Sequence, residues 1–233
     1  MKLLYTLLLL MPFAANAQAP GSLTIKKVAD FDVKETPDKT WEAASWVEVP
    51  QRSDNGVTYA TKAKILYSET GIYFLFHCED NKLTATMTQD FDDLFKEDVV
   101  EVFLWTDEST PIYFEYELSP LNYELPILVP NYGGKFLGWR PWHYFNERRT
   151  KHVTTVEGGP KRSNADIKAW TAQFFIPYVL LNPLKNVPPT SGTKWRANMY
   201  RLDYDGGKQT RWAWQPIRTN FHDYEMYGTF VFE

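Results

Sequence analysis

One cysteine, Cys78, stands in the 233 residues, so no intrachain disulfide can form and the fold must rest on its core. A lone thiol in an exported protein can be reactive, but the setting YFLFHCED is that of a buried strand position, where free cysteine acts as a small hydrophobe. Basic charge is not in excess either. Lys and Arg number 25 against 29 Asp and Glu, a net charge of −4, which leaves no basic face to drive binding of nucleic acid or another anionic polymer. Long apolar runs are missing beyond the N-terminus, and so are repeats, low-complexity tracts, useful amphipathic helices and any His/Cys cluster of zinc-binding type. The single apolar run, Leu3–Ala14, is too short for a comfortable membrane span. It follows Met1-Lys2 and precedes the small-x-small site Ala15-Asn16-Ala17 and the polar Gln18–Ser22, the layout of a secretory signal peptide over residues 1–17. The sequence thus predicts export to the periplasm or beyond without membrane insertion, and one domain over residues 18–233.

Aromatic residues are plentiful, at 16% with 9 Trp, 14 Tyr and 15 Phe, enough to fill a core and leave rings over for a surface. Short runs with period-two alternation recur along the chain, separated by turn residues. The clearest is the hairpin Ala60–Tyr67 with Gly71–Cys78, where Gly71 is expected at positive φ. Further strands are expected at Leu23–Val28, Leu83–Thr88, Asn122–Pro130, Lys151–Glu157, Ile167–Ile176, Trp195–Tyr204, Arg211–Gln215 and Gly228–Phe232, with one helical turn at Pro177–Leu181. Trp41 and Trp46 read as anchors of an irregular lead-in, and Asn131–Arg149 as a long ordered loop, a type of segment that is often functional. About ten short strands in this pattern predict an all-β, two-sheet antiparallel β-sandwich.

The pattern is most informative in Lys96–Trp105, KEDVVEVFLW. As a strand it sends Asp98, Val100, Val102 and Leu104 to one face and Val99, Glu101, Phe103 and Trp105 to the other. The run Ile112–Leu118 repeats the design, with Tyr113, Glu115 and Glu117 sharing a face. If the two pair through the loop Thr106–Pro111, one sheet face gathers three glutamates among aromatic rings. Rings cover the C–H faces of a sugar and carboxylates accept from its hydroxyls, so this is one chemistry a sugar-binding face can use. The other reading is a semi-buried sandwich layer whose glutamates pair with Arg201 or Arg196.

Taken together, ILYSETGIYFLFHCED, EDVVEVFLW, WTAQFFIPY, GTKWRANMYRLDYD and FHDYEMYGTFVF, in this order, resemble the family 9 carbohydrate-binding modules of secreted bacterial proteins over nearly the whole mature chain. The resemblance implies a jelly-roll-like sandwich, structural calcium, and sugar binding at chain ends without catalysis. Its two stacking aromatics fall on Phe95 and Phe221, where better-studied members carry Trp, and its strand glutamate falls on Glu101. An arginine contact falls on Glu117 and a glutamine contact on Tyr200, both departures from the pattern, so fold and general sugar binding carry over and the ligand preference does not.

The candidate ligand-binding set is therefore Phe95, Glu101, Glu117, Tyr200, Arg201, Phe221, His222 and Trp142. Phe95 and Phe221 can be core residues instead, and His222 an ordinary loop hydrogen-bonder. Arg201 can align Glu101 and Glu117 or touch ligand, while Trp139 and Trp142 can cover the site or plug an end of the sandwich. Glu79, Asp80 and Asp92 offer oxygens for calcium, although acidic loops are commonly just solvated. The expected function is a secreted, non-catalytic protein that holds an oligo- or polysaccharide in the service of polysaccharide breakdown. The competing classes are a glycoside hydrolase using two of Glu101, Glu115 and Glu117, and a protein-interaction module of a surface assembly.

Overall fold

The computed structural model describes residues 21–233 except Asp54; the expected signal peptide lies outside the described residues. Among the described residues there are fourteen strands: β1 Ser22–Lys27, β2 Val47–Glu48, β3 Thr61–Tyr67, β4 Gly71–Glu79, β5 Val99–Trp105, β6 Ile112–Leu118, β7 Glu124–Tyr132, β8 Lys135–Phe136, β9 Arg140–Pro141, β10 Lys151–Glu157, β11 Ala169–Pro177, β12 Lys194–Asp203, β13 Thr210–Ala213 and β14 Gly228–Phe232. Hydrogen bonding runs β10-β11-β4-β3-β1-β14-β12-β5-β6-β7-β8. The path folds over at β1, which pairs with β14 through Ser22–Ile25 and with β3 through Lys26 and Lys27. Two layers result, β10-β11-β4-β3 and β14-β12-β5-β6-β7, with their inner faces against one another. Phe74, Phe76, Trp170 and Phe174 from the first meet Val100, Val102, Phe114, Tyr116 and Met199 from the second in one buried cluster. The ring of Tyr116 lies 4.7 Å from that of Phe174 across the interface.

The expected sandwich is present, with one amendment: both pairings of β1 are parallel, so the sheet is mixed rather than purely antiparallel. Smaller corrections have local causes. Leu83–Thr88 alternates in burial as expected but forms no strand beyond the adjacent Lys82–Asp166 bridge, because the N–H groups of Thr84, Thr86 and Met87 donate to the Asp98 and Glu97 side chains instead of to a neighbouring strand. Gly71 does not take positive φ. It is glycine because a methyl there would overlap the Phe175 ring and the Ile176 carbonyl. Trp41 is buried, with Nε1 donating to Gln173 Oε1 at 3.0 Å, but Trp46 is exposed and carries Lys62 Nζ 4.8 Å above its ring. The loop Asn131–Arg149 contains the short β8 and β9, which extend β7 outward.

The second layer has apolar side chains on both faces, the signature of a sheet covered on both sides. On its outer face Val99, Phe103, Trp105, Tyr113, Ile127, Val129 and Tyr200 join Phe221, Tyr224 and Tyr227 from the segment before β14 in a second cluster. This outer face carries the site. Among the described residues no helix is long and apolar enough to cross a membrane.

Candidate functional site

Strands β5 and β6 pair antiparallel with Glu101 opposite Glu117 and Phe103 opposite Glu115. The alternation read from KEDVVEVFLW and IYFEYEL therefore puts three glutamates on one small patch of the outer face. All three are nearly sealed from solvent, at 2%, 3% and 0% exposed for Glu101, Glu115 and Glu117. Like-charged residues directly across a strand pair repel, and buried carboxyls without partners are costly, so such a patch is kept for a reason other than stability. Glu101 Oε1, Glu115 Oε2 and both carboxyl oxygens of Glu117 meet no well-aligned protein donor, and the Glu115 and Glu117 carboxyls lie within hydrogen-bonding reach of one another. The nearest cationic candidate is His222, whose Nδ1 is 3.8 Å from Glu115 Oε2. Burial pushes that imidazole down to about 4, so it is neutral near pH 7 and compensates nothing.

Burial also pushes Glu101 up to about 8. It holds Glu115 and Glu117 well above the carboxylate range, with the nearby Glu101 carboxyl adding to both shifts. At neutral pH the three are thus largely protonated, able to donate as well as accept. They form the floor of a cavity of about 310 Å³ whose walls are mainly aromatic.

The walls come from three segments. A 3-10 turn, Leu94–Lys96, presents Phe95, whose ring meets Trp139 edge-on at 6.5 Å. Trp139 and Phe136 come from the loop after β7. Phe221 and His222 come from the loop before β14, with His222 stacked on Phe136 at 4.1 Å and hydrogen-bonded through Nδ1 to Tyr113 Oη at 2.6 Å. That loop is held by Asp223, which accepts from the backbone N–H groups of Arg218 at 2.7 Å and Thr219 at 2.6 Å. Gln209, Arg211 and Asn220 supply polar groups at the rim, where Arg211 Nε donates to Gln209 Oε1 at 2.6 Å.

Of the residues singled out in the sequence, Phe95, Glu101, Glu117, Phe221 and His222 line the cavity. Tyr200 does not. It is fully buried beneath Phe221, stacked at 4.0 Å and 12°, and its hydroxyl donates to Phe221 O at 2.9 Å, so it fixes the ring that lines the wall. Arg201 belongs to the opposite face. Tyr200 pairs with Glu101 and Arg201 with Val100, so one step along β12 turns the guanidinium toward the interior, where it bonds Asp203 at 2.6 Å and Asp80 at 3.1 Å. The reading of Arg201 as a partner of the glutamate face had assigned it the wrong side of the sheet. Trp142 is also elsewhere: its Nε1 donates to Leu180 O at 2.8 Å, and its ring packs on the main core. Glu115, which the sequence places on the same face but outside the candidate set, lines the cavity with Glu101 and Glu117. Trp139, Phe136 and Arg211 come from segments without period, which sequence patterning cannot aim.

The residues expected to hold calcium do not converge. Glu79 accepts from Ala60 N at 3.0 Å, and Asp92 lies in the turn before Leu94. Asp80 instead groups with Asp203 and Asp205, their nearest oxygens within 4.8 Å of one another. Each carboxyl oxygen in this group already accepts a protein hydrogen bond: Asp80 from Lys82 N, Trp170 Nε1 and Arg201, Asp203 from Asp205 N and Arg201, and Asp205 from Tyr59 Oη and Thr84 Oγ1. Arg201 Nη2 lies between Asp80 and Asp203, at 3.1 and 2.6 Å from their carboxyls. The donor set fits a buried ion-pair network better than a calcium cage.

Fold and cavity together define a β-sandwich with a built ligand pocket on the outer face of one layer. Residues 33–125 match the sequence model of the carbohydrate family 9 binding domain-like proteins, a span that contains Phe95 and all three glutamates. That span is similar in sequence to the family's model, and the fold of the whole described chain is similar to those of three solved structures. A candidate carbohydrate-binding protein from Bacteroides uniformis ATCC 8492 superposes with a TM-score of 0.72 at 16% identity, over 92% of this chain and 100% of that one. A family 9 carbohydrate-binding module from Caldicellulosiruptor kristjanssonii matches in complex with cellotriose, with a TM-score of 0.66 at 12% identity over 91% and 93% of the two chains. The same organism's module in complex with glucose gives 0.65 at 13% identity, over 91% and 95%. No curated protein matches the sequence.

Proposed function

We propose that the chain is an exported, non-catalytic carbohydrate-binding protein that seats a sugar in the cavity over Glu101, Glu115 and Glu117. The observation that carries this reading is the joining of buried carboxyl oxygens that meet no well-aligned protein donor with aromatic walls in one pocket. Apolar rings supply contact area for the C–H faces of a pyranose, and the few polar groups on the floor orient its hydroxyls. Phe95 and Phe221, from separate loops, are the rings assigned to stacking. The leader-like residues 1–17 support export.

A glycoside hydrolase on the same residues is disfavoured by electrostatics. Such enzymes need two carboxyl groups whose environments differ, one kept protonated as acid and the other ionised as nucleophile or base. Here burial moves all three in one direction.

The test is isothermal titration of the mature protein against a panel of mono- and oligosaccharides, alongside Phe95→Ala and Phe221→Ala. Saturable binding that weakens at least tenfold in both variants, with unchanged thermal unfolding, is expected. Binding that survives both substitutions would place the sugar elsewhere.

A further inference from the structure

The cavity floor is more acidic than a neutral sugar requires. Glu101, Glu115 and Glu117 bring three carboxyl groups to one patch, and four of their buried oxygens meet no well-aligned protein donor. No lysine or arginine among the described residues lies within ion-pairing distance of any of them, and the sole basic neighbour, His222, is neutral. Arg211, the one guanidinium along the wall, is turned to Gln209. A protein that needed only to accept hydrogen bonds from hydroxyls would gain as much from Gln or Asn, without the cost of burying groups that ionise. The aromatic walls point the same way. Phe95, Trp139 and Phe221 offer ring faces and edges around an acidic floor, and ring faces attract cations, most strongly where water is excluded. Buried carboxyls beneath aromatic walls are the complement of an ammonium group on a compact, partly apolar body.

We infer that the ligand of this cavity is a sugar bearing a free, protonated amine, with the ammonium seated over Glu101, Glu115 and Glu117 and the pyranose ring against the aromatic walls. The inference rests on the proposed sugar binding and narrows it to a substrate class: hexosamines and glycans with unacetylated amino sugars. In the empty cavity burial keeps the carboxyls protonated. An arriving ammonium favours their charged form, so binding expels a proton while the amine keeps its own, and each ionised carboxylate gains a charge-assisted hydrogen bond. The neutral analogue gains none of this.

The experiment is titration calorimetry at pH 7 in calcium-free buffer with four ligands: glucose, glucosamine, N-acetylglucosamine and ethanolamine. Glucosamine is expected to bind at least tenfold more tightly than glucose or N-acetylglucosamine, with a heat that varies with the buffer's ionisation enthalpy as protons are released. In Glu117→Gln, and separately in Glu101→Gln, the ratio of glucosamine to glucose affinity is expected to fall at least fivefold; thermal melts check that each variant is folded. Equal affinity for glucose and glucosamine would overturn the inference and leave sugar binding intact. Binding of glucose raised to that of glucosamine by added calcium would also overturn it, since the carboxyls would then serve a metal ion. Ethanolamine bound as well as glucosamine would show amine recognition without a sugar, and silence to all three sugars would remove the reading on which the inference stands.

Discussion

Replacing Glu101 with Gln keeps the shape of the side chain and removes its ability to ionise, so its effect on stability isolates the electrostatic burden of the site. In the folded protein burial raises Glu101 from its ordinary 4.5 to about 8. The folded state therefore holds a proton that the unfolded chain releases above pH 4.5. Stability that is present below that pH is lost as pH rises toward 8, at up to about 1.4 kcal/mol per pH unit for one proton. Glutamine is immune to this loss. Between pH 5 and pH 8 the stability of Glu101→Gln relative to the parent is expected to improve by about 4 kcal/mol at most. In a chain of this size that corresponds to roughly 8–16 °C in melting temperature. The Asp80 network titrates in both proteins and cancels in the difference. Urea unfolding or calorimetry at unit pH intervals reads the effect. A stability difference that is flat from pH 5 to pH 8 would mean that Glu101 titrates as an ordinary solvated carboxylate, and the account of a sealed acidic floor would be wrong.

Other outcomes follow from the same structure. Tyr200→Phe keeps the ring beneath Phe221 but drops the hydroxyl that meets Phe221 O and Asn198 Nδ2; it should cost about 1 kcal/mol of stability and weaken sugar binding several-fold, measured by melting and titration. Arg201→Ala should destabilise by about 3–5 kcal/mol in urea unfolding at pH 7, since Asp80 and Asp203 lose their guanidinium. That loss should shrink at pH 5, where Asp80, pushed up to about 7 by burial, is protonated. Gly71→Ala should cost about 1–3 kcal/mol through collision with Phe175 rather than through backbone strain, and Phe175→Ala should relieve part of that penalty in a double-mutant cycle. Because Asp80, Asp203 and Asp205 are satisfied by Arg201 and protein donors, a calcium chelator should leave the melting temperature unchanged; a drop of several degrees would show that an ion belongs in that cluster.

Sequence periodicity carried the argument as far as the sheet faces. The alternation in β5 and β6 located Glu101, Glu115, Glu117, Phe103 and Tyr113 on one side, because a strand has only two faces and a run of aliphatics marks one as core. The same logic failed at Arg201. In β12 residues of both faces are buried, and each face mixes apolar with polar side chains, so Met199 and Trp195 give no sign of which layer their side faces. Trp142 and Trp139 stand three residues apart in a loop without period, and only the path of β9 along β7 decides that Trp139 faces the cavity while Trp142 turns to Leu180. The three residues named for calcium lie apart for a related reason. Asp80 meets Asp203 and Asp205 more than a hundred residues away, a convergence made by β4 and β12 across the sandwich. Local acidic clusters such as Asp90–Asp93 were visible, but proximity in sequence did not bring them to Asp80.

The central claim is that a sugar occupies the cavity between Phe95 and Phe221, above the three glutamates. A crystal structure of the protein soaked with the tightest-binding sugar of the titration panel tests it most directly. The account predicts one pyranose ring against those aromatic walls, with its polar groups within hydrogen-bonding distance of Glu101 and Glu117. A sugar bound elsewhere, with this cavity left to water, would contradict it.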